Sequence, residues 1–300
     1  MDFFAKYIGF LFFFIYTGNI AQPINQHTCD KLIEEGIDLM FEKKHVQSLE
    51  LLIEATSLAE ENGWPKQKFR ALLNSGSNYY LMSDFGEALD YYLRAYEIAI
   101  AELETKDELT VLNNIGVLYF QESNLLKAKE YFGKAYSLSF DQENNSKHGY
   151  YAINLALVSN KLQQAEVASK YIQEALPLVK DQPEIEIMAK MAKAENLFIR
   201  HKYSEAKELS LYLLPQLEGD ANADNRVFIL LLLSQINQKE RNYNVALQYA
   251  ARARTVSKVI ENREDVYDAL SKSYMSLREY DKALIYKDSI LIARDSIHQI

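Results

Sequence analysis

One cysteine, Cys29, is all that 300 residues hold, so no disulfide can form within the chain. His27-Thr28-Cys29 does not resemble a lipoprotein acceptor, because a small residue and an aliphatic one should precede the cysteine, and no second His/Cys pair stands elsewhere to complete a metal site. Proline (5) and glycine (10) are scarce, and no strand-like alternating block occurs, which points to an all-helical chain. Cationic charge is the minor kind: 33 Lys and Arg against 42 Asp and Glu give −9, and no basic run exceeds Lys43-Lys44. Nucleic-acid binding and adhesion to anionic membranes both need clustered cations, so neither is expected. The five histidines fall in five different contexts, none in an HExxH pair, and no GxGxxG, GxxxxGK[ST] or GxSxG motif appears. Enzymatic activity, a cofactor and a metal are therefore not expected.

Long apolar runs are missing too, except at the start. MDFFAKYIGFLFFFIYTGNIAQ has a lone Lys6, ten apolar residues from Tyr7 to Tyr16, and small or polar residues to Ala21. That is the layout of a secretory signal peptide over 1–21, cleaved after Ala21, or else of a retained anchor. Export, with a periplasmic location, is expected on this basis. Residues 22–28 read as a linker. No later stretch approaches 18 apolar residues, so no membrane insertion is expected once the signal is removed.

What is abundant is a recurring pair of small residues. In Leu112–Ala135, Leu112, Ile115, Gly116 and Tyr119 share one helical face, and Ala128, Phe132 and Ala135 share another, with a break near Glu122-Ser123-Asn124. Gly116 and Ala128, twelve residues apart, let two folded-back helices approach closely. The same spacing separates Gly36 from Ser48, Gly76 from Ala88, Ala156 from Ala168, Ala194 from Ala206, Ser234 from Ala246 and Ser271 from Ala283, with first members 37 to 40 residues apart. Seven stacked hairpins follow, near 29–65, 66–106, 107–146, 147–184, 185–224, 225–262 and 263–300. A stack of this kind grows without a single large core, so 29–300 is counted as one domain.

These residues resemble the tetratricopeptide repeat. Gly76, Tyr79, Phe85, Ala88, Tyr92 and Ala95 match its small and aromatic positions. Gly116, Tyr119, Ala128, Phe132 and Ala135 match in the third repeat, and Tyr274, Tyr280 and Ala283 in the last. The resemblance implies an all-α, right-handed α-solenoid of about seven hairpins, with a period near 40 instead of 34 and hence longer helices. In such a stack the first helices line a concave groove. Position 6 of repeats two to four is Asn74, Asn114 and Asn154. An amide offers a donor and an acceptor to an extended peptide backbone, and the resemblance implies that use; the alternative is hydrogen bonding inside the stack. Tyr80, Phe120 and Asn160, at position 12, would add pockets, while Arg70 and Lys161 could meet acidic groups. Met188, Met191, Phe198, Phe228 and Leu231 give repeats five and six a more apolar inner face, for a partner or for each other.

Several smaller readings complete the picture. Gly63 should cap the first hairpin, Pro65 should open the next, and Trp64 should plug the groove between them. Asp141–Lys147, Lys180–Glu184 and Glu218–Asn225 read as surface loops. Tyr203, Tyr243 and Tyr280 should wedge where their hairpins close, and Pro177 and Pro215 should end or kink their helices. The last helix stays apolar at Ile285, Ile290, Leu291, Ile292 and Ile297. That stripe suggests self-association, or a resemblance to the repeat arrays of bacterial membrane-linked sensor kinases and transcriptional regulators. The expected function is a non-enzymatic exported scaffold binding a peptide or protein segment; the alternative is an extracytoplasmic sensor module of a signalling protein.

Overall fold

The computed structural model describes residues 26–141, 145–257 and 260–298. The signal segment and most of the expected linker lie outside them. Fourteen α-helices are present among the described residues, and no strand. They form two compact units, meeting in sequence near residue 142.

The first unit holds three hairpins: α1 (His27–Phe41) with α2 (His45–Glu61), α3 (Pro65–Leu81) with α4 (Phe85–Glu102), and α5 (Thr105–Gln121) with α6 (Leu125–Leu138). The second holds four: α7 (Asn145–Lys161) with α8 (Ala165–Leu178), α9 (Pro183–Ile199) with α10 (Tyr203–Leu213), α11 (Ala223–Lys239) with α12 (Tyr243–Val256), and α13 (Ile260–Ser276) with α14 (Tyr280–His298). Within each unit the second helix of one hairpin packs on the first helix of the next. Each unit is thus a tetratricopeptide-like α-solenoid. Helices begin one to three residues before the expected repeat boundaries. Asn145–Lys147, read as loop, already form the first turn of α7.

All seven hairpins close the same way. Three residues link the helices, and the middle one, Lys43, Ser83, Ser123, Gln163, His201, Arg241 or Arg278, is left-handed with φ between 59° and 64°. The next backbone N–H then reaches back five residues, as Asp84 N does to Tyr79 O at 2.9 Å, so each first helix ends in a Schellman motif. No glycine signals these turns, which is why the sequence does not reveal their centres. Side-chain caps support two of the second helices: Asp84 accepts from Glu87 N at 3.2 Å, and Asn124 from Lys127 N at 3.4 Å. Between the first two hairpins, Gly63 is left-handed with φ 65° and Pro65 opens α3. Trp64 packs against the core of Cys29, Ile33, Leu52 and Ala59, as expected.

The repeated small residues are buried, but the pair twelve apart does not set the helix spacing alone. Ala88, Ala128, Ala168, Ala206 and Ala246 have no exposed surface, and Ala283 is nearly as well covered. The expectation that Gly and Ala simply face each other is corrected by a third position, sixteen residues after the first. A Cβ on Gly36, Gly76 or Gly116 would lie 3.0, 2.6 or 2.5 Å from the side chain of Leu52, Tyr92 or Phe132. The residue twelve on contributes its backbone instead: Ala88 O would stand 3.2 Å from a Cβ on Gly76. In the fourth hairpin Ala156 and Ala168 are joined by Ile172, in the fifth Ala194 and Ala206 by Ser210, and in the sixth Ser234 and Ala246 by Ala250, all buried. Over these six hairpins the third residue shrinks as the first grows, which keeps the summed volume within limits a packed core accepts, while in the seventh the residue sixteen after Ser271 is the exposed Lys287. Serine at a small position adds a bond across the hairpin. Ser48 Oγ donates to Gly36 O at 2.6 Å, Ser234 Oγ to Ala246 O at 2.8 Å and Ser271 Oγ to Ala283 O at 2.9 Å. Ser48 therefore adds a bond across the first hairpin that an alanine would lack.

Pro177 lies in the last turn of α8, and Pro215 follows the end of α10, whose chain continues as a 3-10 turn over Leu214–Leu217. Tyr203 is half-buried, 5.6 Å ring to ring from Phe198. Tyr280 corrects the expectation of a wedge: it is 63% exposed.

Candidate functional site

The asparagines at position 6 stand on the first helices, in segments buried on every side. Phe69 to Asn78 of α3 and Leu109 to Gly116 of α5 show no exposed residue. Such segments need residues small or polar enough to satisfy one another, and the asparagines illustrate different outcomes. Asn74, 1% exposed, donates from Nδ2 to Arg70 O one turn earlier, at 2.7 Å. Its amide is engaged within α3. Asn114, 3% exposed, has an Nδ2 that no acceptor reaches among the described residues. A buried donor left unpaired destabilises by about 1–3 kcal/mol. Asn154 is also buried, in the second unit.

The charged candidates face inward instead of toward a ligand. Arg70 pairs through Nη1 with Asp30 of α1. Lys161 lies 3.9 Å from Glu195 of α9, both nearly inaccessible. Asn160 bridges α7 and α9: its Nδ2 donates to Ala192 O at 2.9 Å and to Glu195 Oε2 at 3.2 Å, and its Oδ1 accepts from Asn196 Nδ2 at 3.0 Å. Asn196 also donates to Ala165 O at 2.8 Å. The expectation that Arg70 and Lys161 offer cations to a ligand is thus corrected. Each neutralises an acid one hairpin away, because an unpaired buried charge is costlier than a pair. Burial raises the Glu195 carboxyl pKa, opposed by the Lys161 charge and the Asn160 hydrogen bond.

Tyr80 and Phe120 are also largely covered. Tyr80 packs at 5.6 Å on Phe85, and burial raises its hydroxyl pKa. Met188, Met191, Phe228 and Leu231 are buried, and Phe198 is half-buried against Tyr203. Of the eight candidates, Arg70, Asn74, Tyr80, Asn114 and Phe120 share the first unit, and Asn154, Asn160 and Lys161 the second. Among the described residues no cluster of His, Cys, Asp or Glu is placed to hold a metal, and no helix is long and apolar enough to cross a membrane.

Sequence reasoning missed the inter-hairpin polar contacts. Lys66 Nζ reaches the fully buried Asp107 at 2.6 Å, joining α3 to α5. His45 Nδ1 meets Asn78 Oδ1 at 2.6 Å, joining α2 to α3. A usable signal existed: Asp30 and Arg70 are 40 residues apart and Lys66 and Asp107 are 41 apart, one repeat period each. Opposite charges one period apart face each other across a stack.

Residues 67–139, α3 to α6 with short margins, match the tetratricopeptide repeat family. No curated protein matches the chain by sequence. Among solved structures, a tetratricopeptide repeat protein from Parabacteroides merdae is 16% identical, with a TM-score of 0.65 over 89% of this chain and 93% of its own. The apo form of RapI is 14% identical, with a TM-score of 0.73 over 91% and 99%. NprR in complex with its cognate peptide NprX is 14% identical, with a TM-score of 0.65 over 88% and 77%. At such identities the likeness is one of fold. Residues 67–139 thus carry the tetratricopeptide repeat sequence pattern, and the hairpins on either side share the fold of tetratricopeptide repeat structures.

Proposed function

We propose that this protein is a non-enzymatic, exported scaffold that binds a peptide or protein segment along the first helices of its hairpins. The observation that carries the reading is Asn114. Among the described residues its buried Nδ2 lacks an acceptor, at the repeat position where Asn74 and Asn154 also stand. A peptide carbonyl supplies the missing acceptor once the side chains covering Nδ2 move aside, and the pairing returns the cost of the unpaired state on binding. The similarity to NprR with its peptide NprX, and to a Rap protein complexed with Competence and Sporulation Factor, supports a peptide as the ligand class.

The test begins with a random-peptide display selection on the immobilised protein, followed by titration of the enriched peptides. Asn114→Ala should weaken binding by about 5- to 150-fold, the equivalent of roughly 1–3 kcal/mol, with the unfolding free energy held or raised because the unpaired buried donor is removed with the side chain. Undiminished affinity, or a large loss of stability, would mean that the amide is structural. Export rests on the layout of residues 1–21. N-terminal sequencing of protein recovered from the cell envelope should start at Gln22; recovery in the cytosol with Met1 intact would refute it.

A further inference from the structure

Helix α12 carries two arginines, Arg252 and Arg254, and no acid. Around it, residues 241–263 hold five Lys and Arg against one acid, Glu261, which gives +4 within a chain of net charge −9. Helix α3 also lacks acids, but each of its cations meets a carboxylate from a neighbouring helix: Lys66 meets Asp107, Lys68 meets Glu60 and Arg70 meets Asp30. The arginines of α12 have rings for partners instead. Arg252 lies 5.7 Å over Tyr249, and Arg254 lies 5.8 Å over Tyr286 while its Nη1 donates to the Tyr286 hydroxyl at 2.7 Å. Tyr286 is itself held, stacked on Tyr274 at 5.7 Å and 6.0 Å from Tyr267. Among the described residues no carboxylate pairs with Arg252, Arg254 or Arg263.

Arg254 and Arg263 share one cleft of about 230 Å³ between the end of α12 and the start of α13, lined also by Ser257, Val266 and Tyr267. No acid lines it among the described residues. Arg263 stands in the first turn of α13, the end of a helix that favours anions and disfavours cations. Two guanidiniums at one cleft also repel each other, so both features set a surplus of positive potential there. We propose that this cleft binds phosphate, free or as the phosphate group of a small molecule, with Arg254 and Arg263 as its cationic arms. A guanidinium fork matches the oxygens of phosphate two at a time. A phosphate monoester carries about −1.5 to −2 at neutral pH, which answers two arginines, whereas a monocarboxylate answers one. The Tyr286 contact fixes the Arg254 arm before the ligand arrives, so less ordering is needed on binding. The cleft is smaller than the roughly 300–1,000 Å³ of pockets for drug-sized ligands, which suits a small anion. The site does not rest on the peptide reading of Asn114.

Isothermal titration calorimetry at constant ionic strength should show one inorganic phosphate bound per chain, at least about tenfold more tightly than acetate. Arg263→Gln and Arg254→Gln should each weaken this binding by about tenfold or more, with helical circular dichroism retained. Arg241→Gln, which removes an exposed cation of the same basic stretch outside the cleft, should leave it unchanged. Phenyl phosphate distinguishes the source: tighter binding of the ester assigns a phosphorylated small molecule, equal or tighter binding of the free ion assigns phosphate itself, and either supports the site. No binding of either at millimolar concentrations, acetate bound as tightly as phosphate, or a loss as large with Arg241→Gln as with Arg263→Gln would overturn the proposal.

Discussion

Two glycines separate close packing from helix propensity. Gly116 lies inside α5, and a methyl group there would stand 2.5 Å from Cδ1 and Cε1 of Phe132 and 3.2 Å from its Cγ. Carbon contacts settle at about 3.5–4.0 Å, so ring or helix must move by about 1 Å. The ring is 3% exposed and has little room to do so. Gly133 lies inside α6, with nothing within 4 Å of its would-be Cβ. Both sites gain about 0.8–1 kcal/mol of helix propensity on becoming alanine, so that contribution cancels in the comparison. Gly133→Ala should stabilise by about 0.5–1 kcal/mol, and Gly116→Ala should fall about 1–3 kcal/mol below it through overpacking. Urea unfolding followed by circular dichroism measures both, with the slope compared to confirm that the same surface is exposed. Adding Phe132→Ile to Gly116→Ala recreates the pairing of Ala156 with Ile172 in the fourth hairpin. The double variant should exceed the sum of the singles by about 1 kcal/mol. A Gly116→Ala protein as stable as Gly133→Ala would refute the packing argument.

Other consequences concern turns, caps and one buried acid. Ser83→Gly and Ser123→Gly should each stabilise by about 0.5–1 kcal/mol, because left-handed serine carries a strain of about 1–2 kcal/mol that glycine escapes, less its larger unfolded-state entropy; an unchanged melting curve would contradict this. Asp84→Ala should cost about 1 kcal/mol through loss of the α4 cap, measured the same way. Glu195 has its carboxyl pKa raised above the ordinary 4.5, chiefly by burial. The folded state then holds this proton more tightly than the unfolded one, so stability falls as pH rises from the ordinary carboxylate range through the raised value. Glu195→Gln should flatten that decline in unfolding experiments across the same range; an unaltered pH profile would show that Glu195 is not its source.

The seven hairpins were legible because Gly, Ala and Ser recur at matched spacings along the sequence, and the second members, Ala168 and Ala206 among them, are buried as that spacing requires. The partner sixteen residues after each first member was not legible. Leu52, Tyr92, Phe132, Ile172, Ser210 and Ala250 share no chemistry, and their sizes make sense only against the residue each covers. Turn centres such as Lys43 and Gln163 carry no glycine, so their geometry had no signature in the sequence. Polar segments misled in three places: residues 145–147, 183–184 and 223–225 read as loop yet begin α7, α9 and α11, because each helix is set by its later contacts and not by its first turn. At the candidate site, the ladder of Asn74, Asn114 and Asn154 was visible as a period of 40 residues. Which of them is free to bond was not. That depends on rotation about each helix and on neighbours such as Asp30 and Glu195, which arrive from the adjacent hairpin.

A crystal structure with a display-selected peptide would test the central claim most directly. Asn114 Nδ2 should donate to a backbone carbonyl of the peptide within about 3.2 Å, with the peptide running extended along the first helices. A peptide seated on another face, with Asn114 Nδ2 still unpaired or bonded within the protein, would contradict the account.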